Sequence, residues 1–302
     1  MCALQVSPLV SLDVNKVYAA TEEQKSPEEN FGLARYYFAE NSFYNAVHYA
    51  SLAFKGGLQT LEVKTLLNNA AGQLSAIADQ QAKDKKYNDA VINYQKLIDS
   101  DGVPANIKDA AQKNSDIILK EFNDGTTALK AKNYKEAVRL TSLSFAKGIY
   151  INKVVAQLKE ASTQLSILSD IQANNKQYNE AVEGYAILKK YYGVPADIQQ
   201  AAEKNYDSIF KEYYAGNEAF LKGEYYNAVE YLSQSFNKGL TVKDVKDLMG
   251  RAADLLYKTA ELGENNGNKE GAIYQYTKLV KSNGVPEEIK QAAQNKLNNL
   301  QK

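Results

Sequence analysis

The tripeptide Gly-Val-Pro occurs at Gly102-Val103-Pro104, Gly193-Val194-Pro195 and Gly284-Val285-Pro286, and the interval is 91 residues both times. A second phrase keeps that interval. Phe43-Tyr-Asn-Ala-Val, Tyr134-Lys-Glu-Ala-Val and Tyr225-Tyr-Asn-Ala-Val set Ala46, Ala137 and Ala228 in register. Ala90, Ala181 and Ala272 form a third series, inside Tyr87-Asn-Asp-Ala-Val, Tyr178-Asn-Glu-Ala-Val and Lys269-Glu-Gly-Ala-Ile. A chain with such repetition stacks like units, because each unit buries its apolar face only against its neighbours. The two alanine series alternate at 44 and 47 residues, so each 91-residue block holds two helical hairpins and the chain about six.

The periodicity inside a block is helical. Ile107, Ala110, Ala111, Ile118, Phe122, Gly125 and Leu129 follow Pro104 at steps that keep one face. Ile198, Ala201, Ala202, Ile209, Tyr213, Gly216 and Phe220 repeat the pattern after Pro195. Val154, Leu158, Ala161, Leu165 and Leu168 do the same between hairpins. This spacing predicts a first helix of about 28 residues, roughly 42 Å long, and a second of about 14 residues carrying the Ala-Val phrase. The Gly of Gly-Val-Pro suits the left-handed residue that ends a helix, and the Pro suits the first turn of the next. Gly125 and Gly216 fall inside the long helix, where Gly costs about 1 kcal/mol relative to Ala. Close helix packing accounts for them, with a kink at Asn123-Asp124-Gly125 as the competing reading. The fold class expected is all-α: an α-α superhelix of about six hairpins in three 91-residue blocks, occupying residues 31–302 as one repeat domain.

Composition narrows the function classes. In 302 residues, 36 Lys plus Arg balance 36 Asp plus Glu, and no block of like charge reaches five residues. A basic nucleic-acid face is therefore not expected. No stretch reaches the roughly 18 to 20 apolar residues of a membrane span, so the chain is not read as an integral membrane protein. Catalysis fails on inventory. His48 is the one histidine and Cys2 the one cysteine, which rules out a Cys/His pair, a zinc set and a Ser-His-Asp triad. His48 sits at the repeat position held by Arg139 and Glu230, which reads as solvent-facing. Lys55-Gly56-Gly57 and Asn265-Asn-Gly-Asn lack the Lys-Ser/Thr of a phosphate loop and read as helix-ending turns. No enzyme activity, metal or cofactor is expected.

The N-terminus differs from the rest. Residues 1–20 open on an apolar run, and Val17-Tyr18-Ala19 ahead of Ala20 has signal-peptidase spacing without a basic n-region. They are read as a truncated signal peptide behind a misplaced start, which predicts a secreted or cell-envelope protein; a cytoplasmic adaptor is the alternative. Residues 21–30 read as a polar linker, within which Ser26, Pro27 and Glu28-Glu29 also suit a helix start.

Gly216, Gly223, Tyr225, Ala228 and Phe236 are spaced like the small, turn, aromatic and alanine positions of a tetratricopeptide repeat. Gly125, Tyr134, Ala137 and Phe145 repeat that spacing, as do Ala34, Phe43, Ala46 and Phe54. Residues 31–302 thus resemble the tetratricopeptide family, with a period departing from the family's roughly 34 residues. The excess is expected at the front of each first helix. The resemblance implies a concave surface lined by first helices that accepts a protein or peptide ligand. By register, its inward residues are Arg35 and Phe38, then Phe122 and Thr126, then Tyr213, Asn217 and Phe220. Asn217 aligns with a family position that grips a ligand backbone, though the family's carboxylate-clamp Arg and Lys are not reproduced around it. The function expected is a non-enzymatic binding scaffold. A cell-envelope glycan binder using Tyr191-Tyr192, Tyr213-Tyr214 and Tyr225-Tyr226 is the alternative. Tyr rings gathered in one exposed patch favour glycan, and scattered or buried rings favour the scaffold.

Overall fold

The computed structural model of the chain describes residues 25–301. The expected signal peptide of residues 1–20 lies outside the described residues. Within the described part are fifteen α-helices and no strand. The first block contributes α1 (Pro27–Ala39), α2 (Phe43–Lys55), α3 (Leu61–Lys83), α4 (Tyr87–Asp99) and α5 (Ala105–Ile118). The second contributes α6 (Lys120–Lys130), α7 (Tyr134–Ala146), α8 (Asn152–Asn174), α9 (Tyr178–Lys190) and α10 (Ala196–Ile209). The third has α11 (Lys211–Leu221), α12 (Tyr225–Asn237), α13 (Lys243–Asn265), α14 (Lys269–Lys281) and α15 (Glu287–Leu300). Apart from α1, which is lengthened at its start, equivalent helices begin 91 residues apart. The protein is an all-α tandem array of helical hairpins.

The chain divides at Lys120 and Glu121 into two compact units. In the first unit α1 to α5, and in the second α7 to α15, pack on one another in chain order, as in an array whose units bury their apolar faces against neighbours. Both alanine series occupy these contacts: Ala46, Ala90, Ala137, Ala181 and Ala228 are wholly buried and Ala272 is 1% exposed. Alanine is required where a larger side chain has no room between the helices.

One expectation is corrected. The single long first helix is two helices, α5 then α6 in one copy and α10 then α11 in the next, parted at Leu119 and Phe210. No Pro or Gly lies at either break, and each break residue is buried. In the second unit α10 packs against α9 whereas α11 packs against α12, and the turn at Phe210 lets each half meet its own partner. The residues beyond a 34-residue period therefore include a separate helix in each block (α5, α10, α15), not only a longer front to an existing one. The first helices of the other hairpins, α3, α8 and α13, run 23 residues each.

Local chemistry sets the boundaries. Ser26 caps α1: its Oγ accepts from Glu29 N at 3.1 Å while Ser26 N donates to Glu29 Oε2 at 2.7 Å. Helix α1 thus begins inside the stretch read as a linker. Gly102, Gly193 and Gly284 take φ of 78°, 85° and 84°, as the Gly-Val-Pro reading requires. Pro104, Pro195 and Pro286 are N-caps, one residue ahead of the first turn where the sequence reading placed them. Gly125 does not kink its helix. A Cβ there would stand 2.7 Å from Thr141 Oγ1, and one on Gly216 would stand 2.8 Å from Leu232 Cγ, so both glycines exist for close approach.

Candidate functional site

In the second unit, the first helices of consecutive hairpins, α6 and α8, lie side by side and enclose a groove of about 640 Å³. Steps of four place Phe122, Thr126 and Lys130 on one face of α6, and steps of four and three place Lys153, Gln157 and Glu160 on the facing side of α8. Lys132 and Tyr134, from the turn into α7, close one end. Three lysines against one glutamate make the groove cationic.

Its floor is a hydrogen-bonded knot around Gln157, which is 8% exposed. Gln157 Nε2 donates to Thr141 Oγ1 at 2.8 Å and to the Phe122 carbonyl at 3.1 Å. Thr126 Oγ1 stands 2.6 Å from Gln157 Oε1 and 3.0 Å from Phe122 O, two acceptors sharing one proton. Lys153 Nζ lies 5.6 Å from the Phe122 ring centroid, within cation-π range. A buried amide satisfied on both sides orients the α6 face rigidly against α8.

The same place in the third block carries different chemistry. Asn217, Leu232 and Leu248 stand in register with Thr126, Thr141 and Gln157, so the knot is replaced by leucines. Lys153 and Glu160 become Asp244 and Arg251, which reverses both charges. The Arg251 guanidinium lies 4.7 Å from the Phe220 ring centroid. Burial raises the Tyr213 phenol above its ordinary value, Asp244 adds to this, and Arg251 opposes it.

Of the residues expected from sequence, Phe122 and Thr126 meet through Gln157. Tyr213, Asn217 and Phe220 share α11 and are all half-buried; Tyr213 and Phe220 also pack on the core of the second unit. Arg35 is exposed, and Phe38 meets Phe43 edge-on at 5.5 Å; both belong to the first unit. The sequence reading missed Lys153, Gln157, Glu160 and Arg251. They lie on α8 and α13, first helices of the hairpins that match the repeat pattern less well. One signal pointed to them: polar Gln157 directly precedes Leu158 within the apolar stripe from Val154 to Leu165.

The histidine position is also corrected. His48, Arg139 and Glu230 are half-buried, and each has a polar partner: Lys96, Glu136 and Lys278 respectively. Among the described residues no helix is long and apolar enough to cross a membrane. Among them, too, no group of three or more His, Cys, Asp or Glu side chains is placed to hold a metal ion.

The tyrosines divide between the core and the surface, and Tyr206, Tyr213 and Tyr214 gather around Phe210. Tyr94, Tyr185 and Tyr276 are buried. Tyr192 lies edge-on to Phe145 at 5.7 Å, Tyr213 meets Phe210 at 5.5 Å, and Tyr226 stacks on Tyr274 at 4.7 Å.

No family model matches the chain, and no curated protein matches it. One solved structure found by similarity is described as a "circular tandem repeat protein with novel repeat topology and enhanced subunit contact surfaces". It is 14% identical, and the match covers 91% of this chain and 75% of that one at a TM-score of 0.18. A score of that size carries no argument about shape, so the helical-repeat assignment stands on the 91-residue register of the helices themselves.

Proposed function

We propose that the protein is a non-enzymatic scaffold of the tetratricopeptide type that binds an extended protein segment along the first helices of its second unit. The observation that carries this reading is the groove between α6 and α8, open to solvent above a rigid polar floor. The first helices offer a surface along which an extended segment lies, and the lysines set preference for acidic side chains. The burial of Tyr94, Tyr185 and Tyr276 and the half-burial of Tyr206 and Tyr213 support the scaffold over a stacking surface for glycans.

A peptide library displayed on phage and panned against the full chain tests the proposal. Enriched peptides should lose binding to a Lys130→Glu, Lys153→Glu variant and keep it with Lys204→Glu on α10. No enrichment, or enriched peptides indifferent to the groove charges, would overturn it. Export is part of the same proposal and has its own test. N-terminal sequencing of the native protein should read from Ala20 in material recovered outside the cytoplasm; an intact Met1 in the cytosolic fraction selects the intracellular adaptor.

A further inference from the structure

His48 Nδ1 lies 2.7 Å from Lys96 Nζ, which joins the one histidine of the chain to an amine 48 residues away on α4. The amine is also 5.1 Å from the Tyr44 ring centroid, and Lys96 and His48 are both half-buried. We propose that Lys96 and His48 form an activated amine: a site of covalent acylation at which Lys96 is the nucleophile and His48 accepts its proton.

The chemistry balances without a further reactant beyond an activated acyl donor such as an acyl phosphate or acyl thioester. The Lys96 nitrogen lone pair attacks the acyl carbon, and the bond from that carbon to phosphate or thiolate breaks. The N–H proton passes to His48 Nδ1 and on to solvent. The product is a neutral amide on Lys96. Free amine, not ammonium, is the nucleophile, and an adjacent base is one of the standard means of activating it. Burial pulls the Lys96 ammonium below the ordinary lysine value, with Asp99 pulling back the other way. Two groups therefore act on the amine, the imidazole in contact with it and the charge of Asp99 at a distance. The imidazole accepts a proton, whereas Asp99 retains the charged form.

The repeat supplies an internal control. Lys278 stands in register with Lys96 and lies at the same 5.1 Å from Tyr226, the counterpart of Tyr44. Where Lys96 meets an imidazole, Lys278 is ion-paired to Glu230. Burial lowers Lys278 as well, whereas a carboxylate in direct contact acts in the opposite sense, toward the ammonium. The second block has Ile187 at this position and no amine. Two half-buried lysines, each over a tyrosine ring, thus meet an imidazole in one block and a carboxylate in the other.

The test is limited acetylation of the full chain with acetyl phosphate near neutral pH, followed by peptide mapping of every lysine over time. Lys96 should be acetylated faster than Lys278 and faster than the exposed lysines. In His48→Gln, which keeps a hydrogen-bond acceptor beside the amine but no base, Lys96 should fall to the rate of Lys278. In Glu230→His, which rebuilds the pair in the third block, Lys278 should rise toward the rate of Lys96. Equal rates at Lys96 and Lys278 in the native protein would overturn the proposal. So would a Lys96 rate unchanged in His48→Gln, or a Lys278 rate unchanged in a folded Glu230→His chain.

Discussion

The ring of Phe145 occupies the space where Gly193 would carry a side chain: a Cβ there would stand 2.7 Å from ring carbons Cγ and Cδ1. Phe54 stands in the same relation to Gly102, and Phe236 to Gly284. The glycine of Gly-Val-Pro thus meets two requirements, a positive φ and a phenyl ring from the preceding hairpin. Gly148 separates them, because it takes φ of 83° with nothing within 4 Å of an added Cβ. Gly148→Ala should cost about 1 kcal/mol for the left-handed conformation. Gly193→Ala should cost that and a further 1 to 3 kcal/mol, roughly, for overpacking. Denaturant midpoints of the two variants, compared at equal m-value, measure the difference; equal losses would show that the ring contact is unimportant.

The knot around Gln157 predicts non-additive substitutions. Gln157→Leu alone leaves Thr141 without the amide that donates to it, at a cost of about 1 to 3 kcal/mol. Adding Thr141→Leu reproduces Leu248 and Leu232 of the third block, whose backbone and facing glycine already accommodate leucine. The double variant should recover most of the loss, since removing both polar partners together is nearly neutral. A double-mutant cycle by thermal or chemical unfolding reads the coupling, and simple additivity would contradict the arrangement.

A second polar device ties three helices of a block. Tyr185 on α9 donates to Asp170 Oδ1 of α8 at 2.5 Å, and Asn205 of α10 donates to the same oxygen at 3.0 Å. Tyr94, Asp79 and Asn114 repeat it at 2.5 and 2.9 Å. Burial, then the Asp170 contact, pushes the Tyr185 phenol well above its ordinary value. An unfolded tyrosine ionises near pH 10, while the folded one keeps its proton to higher pH. The contribution is therefore whole below about pH 10 and lost progressively as the pH rises above it. Tyr185→Phe should cost about 1 kcal/mol at neutral pH and make the alkaline loss shallower. Urea melts across that window would expose an error if the variant and the native chain showed the same alkaline slope.

Ala228 is wholly buried where α12 meets α11, and its carbonyl oxygen lies 3.4 Å from the Cβ position of Gly216. Ala228→Leu should overpack that contact and cost about 1 to 3 kcal/mol. Hydrogen exchange should show the weakened protection concentrated in α11 to α13, because a repeat array couples mainly nearest neighbours. Unchanged thermal stability would remove Ala228 from the interface.

The sequence alone determined the 91-residue block, the helical class, the turn glycines and the buried alanines. Each of these is a local demand: a positive φ admits few residues besides glycine, and a close helix contact admits few besides alanine, so the letters recur wherever the geometry does. The tertiary structure decided what local letters do not encode. The breaks at Leu119 and Phe210 carry no breaker residue, and at Phe210 the two halves of the segment bury against different neighbours. Gln157 looked like one polar residue in a helix until α6 and α7 brought Phe122, Thr126 and Thr141 around it. His48 read as a surface position because its own helix says nothing of Lys96, which reaches it only when α4 packs beside α2. Side-chain pairs distant in sequence belong to the packing of helices, and that packing exists only once the hairpins have stacked.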